Sequence, residues 1–223
     1  MQKSMKDTIM KNTFSIIKYL FFVSQASCSI FGVRTVEEVA FEVKKKDEEK
    51  EIRYYNDRVV AETVVTGSYK DSQRQAFRIL ANYIFGKNTK KEKIAMTAPV
   101  EHKKENEKIS MTAPVMQKKD GKAWALEFSM PSKFKRIEDL PKPLDKRVKL
   151  KRKPGGYYAA ISYSWWANEK KNQNKTNLLL KWLEKQTDFD VILPPSYAGY
   201  NPPWTIPFLR RHEIIIKLKK REG

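Results

Sequence analysis

Apolar and polar positions alternate along several short stretches of this chain, which is the pattern of β-strands with one buried face. In the clearest stretch, Trp124, Leu126, Phe128 and Met130 alternate with smaller or polar residues, and Pro131 is expected to end the strand. Runs rich in valine, threonine, tyrosine and isoleucine predict further strands. These lie at 52–55, 58–66, 147–152, 157–163, 189–193 and 212–218.

Two turns are expected to join some of these strands. Asn56 and Asp57 would join the first two, and the strands 147–152 and 157–163 are predicted to pair around the segment 154–156, which reads Pro-Gly-Gly. A proline- and tyrosine-rich loop is expected from Pro194 to Pro207.

Two longer stretches have the 3.6-residue spacing of helices instead. Ser68 followed by Asp71 is typical of a helix N-terminus, and Gly86 suits the C-terminal end of the same helix. A second helix is predicted over 168–186. The predicted apolar faces are Phe77, Leu80, Ala81 and Ile84 in the first helix, and Leu178, Leu179, Trp182 and Leu183 in the second.

Between the two helices the octapeptide KIAMTAPV at 93–100 recurs as KISMTAPV at 108–115. We interpret the two copies as strand-like segments around a polar turn, in which Pro99 and Pro114 end each strand or lie at a sheet edge. With few parallel crossovers, the order of elements predicts an α+β fold. We expect a distorted antiparallel β-barrel or sheet, covered by two main helices, with a pseudo-two-fold repeat.

Composition and charge narrow the possible partners. Of 223 residues, 40% are hydrophobic, and 45 Lys and Arg against 26 Asp and Glu give a net charge of +19. Nucleic acid, an anionic membrane surface or acidic ligands such as propionates would each suit this charge, as would a solvated lysine-rich surface. The lysines are spread along the whole chain and no nucleic-acid-binding motif is present, so we expect no nucleic-acid partner. The sequence indicates no oligomeric state.

Cysteine and histidine counts exclude other kinds of site. Cys28 is the single cysteine, which rules out an intrachain disulfide and a cysteine-based metal site. With only His102 and His212, a multi-histidine metal cluster is excluded too, and we predict no metal site.

The N-terminal part resembles a secretory leader. A basic start near Met10 is followed by the apolar run Tyr19–Val23 and by small residues before Cys28, which resembles a bacterial lipobox. We predict a leader over 1–28 with lipidation of Cys28, a charged tether over 29–50, a folded domain over 51–219 and a tail over 220–223. The prediction places the protein in a bacterial cell envelope, as a lipoprotein anchored to the membrane. Another secreted or anchored form, and a cytoplasmic protein with a free buried thiol, remain open.

Several motifs together resemble the SOUL family of haem-binding proteins, over about residues 51–219. The matching segments are EIRYY at 51–55, NYIFG at 82–86, KIAMTAPV at 93–100, WALEFSMP at 124–131, LPKPLDKRVKL at 140–150 and AGYNPPWTIPFLRRHEI at 198–214. The resemblance implies a pseudo-two-fold α+β barrel shared with effector-binding domains of bacterial regulators. It also implies haem or porphyrin binding in a shallow apolar groove beside the first helix.

The resemblance also suggests the residues of that groove. Arg74 and Phe77, one helical turn apart, match groove-lining positions: Arg74 would pair with a propionate and Phe77 would stack on the ring. Tyr54 stands where some members carry a histidine, and a tyrosinate can ligate ferric haem. Tyr200 and Trp204 belong to a proline-stiffened loop that would cover the ligand. For each of these residues, ordinary packing is the alternative.

The remaining residues that could ligate haem iron or act in catalysis are less favoured for these roles. His102 lies in a polar turn and is expected to be solvated, and His212 is expected to form hydrogen bonds rather than to ligate iron. The methionines Met96, Met111 and Met130 are expected to fill the core. Glu213 would act as a base if the groove were catalytic, but a salt bridge with Arg210 or Arg211 is the favoured role.

Three functional hypotheses follow. The first is an envelope lipoprotein that binds haem or another tetrapyrrole for storage, transfer or buffering. The second is an enzyme that hydrolyses or modifies a hydrophobic small molecule in the same groove. The third is a structural envelope protein that binds anionic lipid. No nucleophile elbow, phosphate-binding glycine loop or metal spacing is present, so we expect a binding protein and not an enzyme.

Overall fold

A computed structural model describes residues 36–89 and 108–221, which form two helices and thirteen strands. The helices are α1 (Tyr69–Ile84) and α2 (Glu169–Leu183). The strands are β1 (Glu37–Glu38), β2 (Phe41–Asp47), β3 (Lys50–Tyr55), β4 (Arg58–Thr66), β5 (Asn88–Thr89), β6 (Thr112–Ala113), β7 (Val115–Asp120), β8 (Ala123–Ser129), β9 (Lys142–Pro143), β10 (Lys149–Lys153), β11 (Gly156–Tyr163), β12 (Phe189–Gly199) and β13 (His212–Lys220). The predicted α+β class with two main helices is confirmed.

Nine strands form one antiparallel sheet in the order β10-β4-β8-β7-β12-β13-β11-β3-β2. The sheet is open, because its edge strands β10 and β2 do not pair with each other. Of the two predicted forms, the sheet is therefore correct and the closed barrel is not. Both edges are rich in lysine, with the sequences KLKRK in β10 and FEVKKKD in β2, and charged edge strands disfavour further pairing.

The order of strands has an approximate two-fold symmetry about the border between β7 and β12. One half of the chain contributes β3, β4, α1, β7 and β8, and the other contributes β10, β11, α2, β12 and β13. The first strand of each half pairs with the second strand of the other half, since β3 pairs with β11 and β10 pairs with β4. The two halves thus exchange a strand.

This exchange corrects the prediction that the strands around 154–156 pair with each other. The linkers β3–β4 and β10–β11 instead cross in contact, where the Gly155 N–H donates to Oδ1 of Asp57 at 2.7 Å. A Cβ atom on Gly155 would lie 2.6 Å from the backbone oxygen of Tyr55, so only glycine fits this crossing.

The helix ends are as predicted, but the buried faces differ. The Ser68 side chain accepts a hydrogen bond from the Asp71 N–H, and Gly86 follows α1 with a φ of 111°. The inward face of α1 is Ser72, Ala76, Ile79, Leu80, Tyr83 and Ile84. Phe77 in α1 and Leu178 in α2 are exposed, so including them in the apolar faces was wrong.

Two hydrophobic clusters lie under the helices and a third lies on the opposite face of the sheet. α1 packs on β4 and β8, and α2 packs on β11, β12 and β13. Along β13, Ile214 and Ile216 pack with α2, whereas Ile215 belongs to the third cluster, as strand alternation requires. Segments near Val39 and Ala113 cover this third cluster.

Part of the predicted tether belongs to the sheet. Of the segment 29–50, Phe41–Asp47 forms β2 and pairs with β3 through the turn at Glu48–Glu49. Within the repeat, the second copy contains β6, which ends at Pro114 as predicted and pairs in parallel with β1. The first copy at 93–100, together with Met96, His102 and Cys28, lies outside the described residues. Neither α1 nor α2 is long and apolar enough to span a bilayer.

Candidate functional site

The carboxylate of Glu213 lies fully buried at the start of β13, with an exposed fraction of 0%. Arg53 on β3 donates to both of its oxygens, at 2.8 and 2.9 Å. Arg211 donates from Nε and Nη2 at 3.0 and 2.7 Å, Ser162 donates at 3.0 Å and the Tyr200 hydroxyl donates at 2.6 Å. We call these five residues the carboxylate cluster.

This cluster keeps Glu213 ionised. Burial alone would raise the pKa of its carboxyl, but the hydrogen bonds and charge of Arg53, with the charge of Arg211, lower that pKa to about 2. A carboxylate with this pKa and six donated hydrogen bonds is a poor base at neutral pH. The predicted salt bridge with Arg211 is confirmed, whereas Arg53 was not predicted as a partner of Glu213.

A second group of side chains forms an aromatic surface built from two loops. Trp165 and Trp166 precede α2, while Trp204 and Phe208 come from the segment between β12 and β13. All four are more than half exposed, and Trp204 reaches 65%. The Arg210 guanidinium carbon lies 4.1 Å from the centre of the Trp166 ring. We call these five residues the aromatic loop surface.

Backbone hydrogen bonds hold the two loops together. The Trp165 N–H donates to the oxygen of Pro207 at 2.9 Å, although a φ of 75° puts Trp165 in the left-handed region that bulky residues rarely adopt. Arg210 donates from Nε to the oxygen of Thr205 at 2.8 Å and from Nη2 to the oxygen of Pro203. The strained backbone persists because its surroundings hold it, a feature common at ligand sites.

His212 lies beneath this surface, at the first position of β13. Its ring stacks on Tyr163 with centroids 5.4 Å apart, and Nε2 is buried without a hydrogen-bond partner among residues 36–89 and 108–221. Burial lowers the pKa of His212, opposed in part by a hydrogen bond to the backbone of Trp165. The imidazole is therefore neutral at pH 7 and covered by neighbouring groups.

The structure separates the predicted site residues into three places. Tyr200 is 5% exposed and belongs to the carboxylate cluster, whereas Trp204, on the same loop, lies on the aromatic loop surface. Tyr54 is half-buried on β3, with its ring 5.1 Å from that of Tyr157. β3 is the eighth strand of nine, and α1 packs on the second and third, so Tyr54 does not meet Arg74 and Phe77.

Arg74 and Phe77 share the solvent-facing side of α1. Phe77 is 39% exposed and its ring packs edge-on against Phe128, with centroids 5.3 Å apart. Arg74 is exposed as well, so among the described residues both side chains lie at the surface. We call these two residues the α1 pair. The roles of these residues toward a ligand remain predictions.

The aromatic loop surface and the α1 pair both combine exposed rings with a guanidinium, as a flat apolar ring with carboxylate substituents requires. Across the two described segments, no three His, Cys, Asp or Glu side chains group as metal ligands. The aromatic loop surface offers the larger ring area, and its four rings are not used to fill the core. It therefore fits a tetrapyrrole better than the α1 pair does.

Sequence reasoning missed Trp165, Trp166, Phe208 and Arg210. One pattern could have identified the first two: a pair of tryptophans separated by one residue from the N-cap residue Asn168, outside every predicted strand and helix. Large apolar residues that no element buries are candidates for a binding surface.

Comparisons with known proteins agree on family and fold. The family model described as "SOUL heme-binding protein" matches residues 36–217. No curated protein matches the sequence. Among solved structures, the EcmrR C-terminal domain is 11% identical with a TM-score of 0.50, covering 81% of this chain and 99% of that one. EcmrR in a DNA complex is 10% identical with a TM-score of 0.52, covering 99% and 69%. A hydrolase from Listeria innocua is 10% identical with a TM-score of 0.49, covering 79% and 94%. At these identities the similarity shows the fold alone.

Proposed function

The chain belongs to the SOUL haem-binding family, and we propose from this membership that it binds haem or a related tetrapyrrole on the aromatic loop surface. Storage, transfer or buffering of the ligand would follow from such binding. A bound haem would supply an iron centre. The residues of this chain would supply stacking rings and cations for the propionates.

The observation that carries this proposal is the exposure of Trp165, Trp166, Trp204 and Phe208 together with Arg210. Soluble proteins rarely expose several large rings on adjoining loops without a partner. Tryptophan gives the largest flat area for stacking, and arginine binds carboxylates with two parallel hydrogen bonds. Lys171, near the start of α2, adds positive charge beside this surface.

A binding role is favoured over hydrolysis because Glu213, the carboxylate considered as a catalytic base, already accepts hydrogen bonds on both oxygens. Glu213 accepts bonds from Arg53, Arg211, Ser162 and Tyr200, and its pKa of about 2 removes it as a base at neutral pH. Neither oxygen is accessible to a substrate.

The test is a haemin titration of the chain, followed by Soret absorbance and by tryptophan fluorescence. Because Trp165, Trp166 and Trp204 are exposed while the other two tryptophans are buried, haem on the aromatic loop surface should quench most of the solvent-exposed emission. We expect saturation at one haem per chain, and about tenfold weaker binding in Trp204→Ala or Trp166→Ala.

The α1 pair serves as the competing site. If Arg74→Ala or Phe77→Ala weakens binding while Trp204→Ala does not, the tetrapyrrole binds beside α1 instead. Arg221→Ala is the matched control, since Arg221 is an exposed arginine at the far end of β13 that pairs with Asp190. An absence of saturable binding in every variant and in the parent would refute the proposal.

Anionic lipid is a second candidate ligand for the same surface. Tryptophans are typical of the membrane interface, and a net charge of +19 would attract a negatively charged bilayer. Vesicles containing phosphatidylglycerol should then bind the chain in the absence of haem, and the binding should weaken as salt rises. If haem blocks vesicle binding, the two ligands share the surface.

We also propose that Cys28 carries a lipid anchor that holds the domain at a bacterial membrane. The support is the arrangement of a basic start, an apolar run and small residues before Cys28. Expressed in a bacterium, the chain should fractionate with membranes and Cys28→Ser should not. A processed N-terminus elsewhere, seen by mass spectrometry, would contradict the anchor.

A further inference from the structure

A small pocket lies on the face of the sheet opposite the helices. Arg58 alternates with Val59, which packs under α1, so the Arg58 side chain points to this other face. The pocket is walled by Tyr55, Met116, Tyr158 and Ile215 in addition to Arg58. Its free volume is about 10 Å³, close to the least that holds one water molecule or a single atom of similar size.

Two polar groups of the pocket, the Arg58 guanidinium and the Tyr158 hydroxyl, lack an acceptor among the described residues. Nε and Nη1 of Arg58 are buried without a well-aligned acceptor, and the Tyr158 hydroxyl, which lies beside the Arg58 guanidinium in a residue only 4% exposed, has no acceptor for its own hydrogen. The guanidinium carbon of Arg58 lies 5.2 Å from the centre of the Tyr55 ring and 5.9 Å from that of Tyr158. The aromatic rings pack against the cation but give its Nε and Nη1 no acceptor.

Nearby positive charges make the position of the Arg58 guanidinium energetically unfavourable. Arg58 lies directly opposite Lys153 in the pairing of β4 with β10, and like charges opposite each other destabilise a sheet. Lys118 adds a third positive charge that acts on Lys153. The nearby carboxylate of Glu127 is bonded to Lys153, which leaves Arg58 without a counter-ion in the described part of the chain. A buried donor or charge without a partner is strongly unfavourable.

We propose that this pocket binds a small monovalent anion between the Arg58 guanidinium and the Tyr158 hydroxyl. The volume admits a single anionic atom, which is either a halide ion or one oxygen of a carboxylate. Such an acceptor satisfies both orphaned donors and reduces the repulsion between Arg58 and Lys153. The site is separate from the aromatic loop surface and from the α1 pair, and it does not depend on tetrapyrrole binding.

Bromide provides the direct test, because its anomalous scattering distinguishes it from water. We expect crystals grown in sodium bromide to show one anomalous peak in contact with Arg58 Nε or Nη1 and the Tyr158 hydroxyl. In solution, chloride should raise Tm saturably relative to sodium gluconate at equal ionic strength. Formate in place of chloride tests the carboxylate alternative, since formate that stabilises and displaces bromide identifies the site as one for carboxylates.

Variants separate the pocket from general salt effects. Tyr158→Phe keeps the ring and removes only the hydroxyl, and we expect it to weaken halide binding about tenfold or more, as loss of a hydrogen bond to a charged group does. Arg58→Met should abolish the response. Arg152→Met, which removes an exposed arginine paired with Asp57, should leave it unchanged. Water alone in the bromide map, or an equal salt response in all four proteins, would overturn the proposal.

Discussion

Replacing Glu213 by glutamine would leave the Arg53 guanidinium buried with only Glu51 as an acidic partner. Breaking a buried ion pair from one side costs about 3–5 kcal/mol, because the remaining charge is desolvated without compensation. The lowered pKa of Glu213 gives a second, independent value for this loss of free energy. A fall from 4.5 to about 2 on folding is about 2.5 units, and at about 1.36 kcal/mol per unit corresponds to roughly 3 kcal/mol.

The two figures agree on a loss of roughly 3 kcal/mol for Glu213→Gln at pH 7. For a domain of this size this lowers Tm by roughly 6–12 °C. The loss should depend on pH. Because the folded pKa is lower than the unfolded one, the unfolded chain binds the extra proton, and the stabilisation by Glu213 disappears as pH falls from about 4.5 to about 2. Parent and variant should therefore converge in acid.

Urea unfolding of both proteins at several pH values between 7 and 2.5 measures this difference. Asp145→Asn is the matched control. The pKa of Asp145 is also lowered to about 2, by hydrogen bonds from Arg147, but this pair lies at the surface where water screens it. We expect Asp145→Asn to lower the free energy of unfolding by less than about 1 kcal/mol. The reasoning would be refuted if the free energies of unfolding of Glu213→Gln and the parent differed by less than about 1 kcal/mol at pH 7, or if their difference did not shrink in acid.

Three further predictions concern packing and a buried imidazole. Gly155→Ala should cost about 1–3 kcal/mol in urea unfolding, because its Cβ would meet a backbone oxygen at 2.6 Å, whereas a null effect would show that the crossing linkers can separate. Leu179→Ala should cost about 2–5 kcal/mol and Leu178→Ala less than about 1, since their exposed fractions are 0% and 52%; equal losses would contradict this assignment of the α2 face. The lowered pKa of His212 means that the unfolded chain takes up its proton first as pH falls below about 6.5, so folding stability should fall there. His212→Asn should flatten that part of the pH profile, and an unchanged slope would count against a buried neutral ring.

Features set by neighbouring residues could be predicted from the sequence. The start of α1 at Ser68 and the glycine after its end depend on hydrogen bonds within a few residues, so the pattern alone locates them. The alternation in β8 is likewise local, and its three large residues Trp124, Leu126 and Phe128 are buried. These signals were sufficient for the class of fold and for most strands.

Which strands pair could not be read in the same way, because pairing joins residues far apart in the chain. β3 and β4 follow each other directly and yet lie six positions apart in the sheet. The predicted apolar faces of the two helices were partly wrong for a related reason. Phe77 fits an apolar stripe by spacing, but the position of the sheet decides which stripe is covered.

The candidate site shows the same limit. Trp204 was found through its motif, while Trp166, on the other loop of the surface, lies 38 residues earlier and belongs to no motif. The pocket at Arg58 and Tyr158 gave no sequence signal at all. Its two residues lie on strands from different halves of the chain, and their missing partners are visible only in three dimensions.

The exchange of strands between the two halves affects how the chain can be made. Tyr54 on β3 pairs with Tyr157 on β11, 103 residues later, so one edge of β3 stays open until most of the chain has been synthesised. At a translation rate of 5–20 residues per second, this wait lasts roughly 5–20 s. Throughout it, the nascent chain presents an unpaired strand to other chains and to chaperones. Neither half can form all its native strand pairs alone, so the domain can reach its native fold only after the strands of the second half have been synthesised.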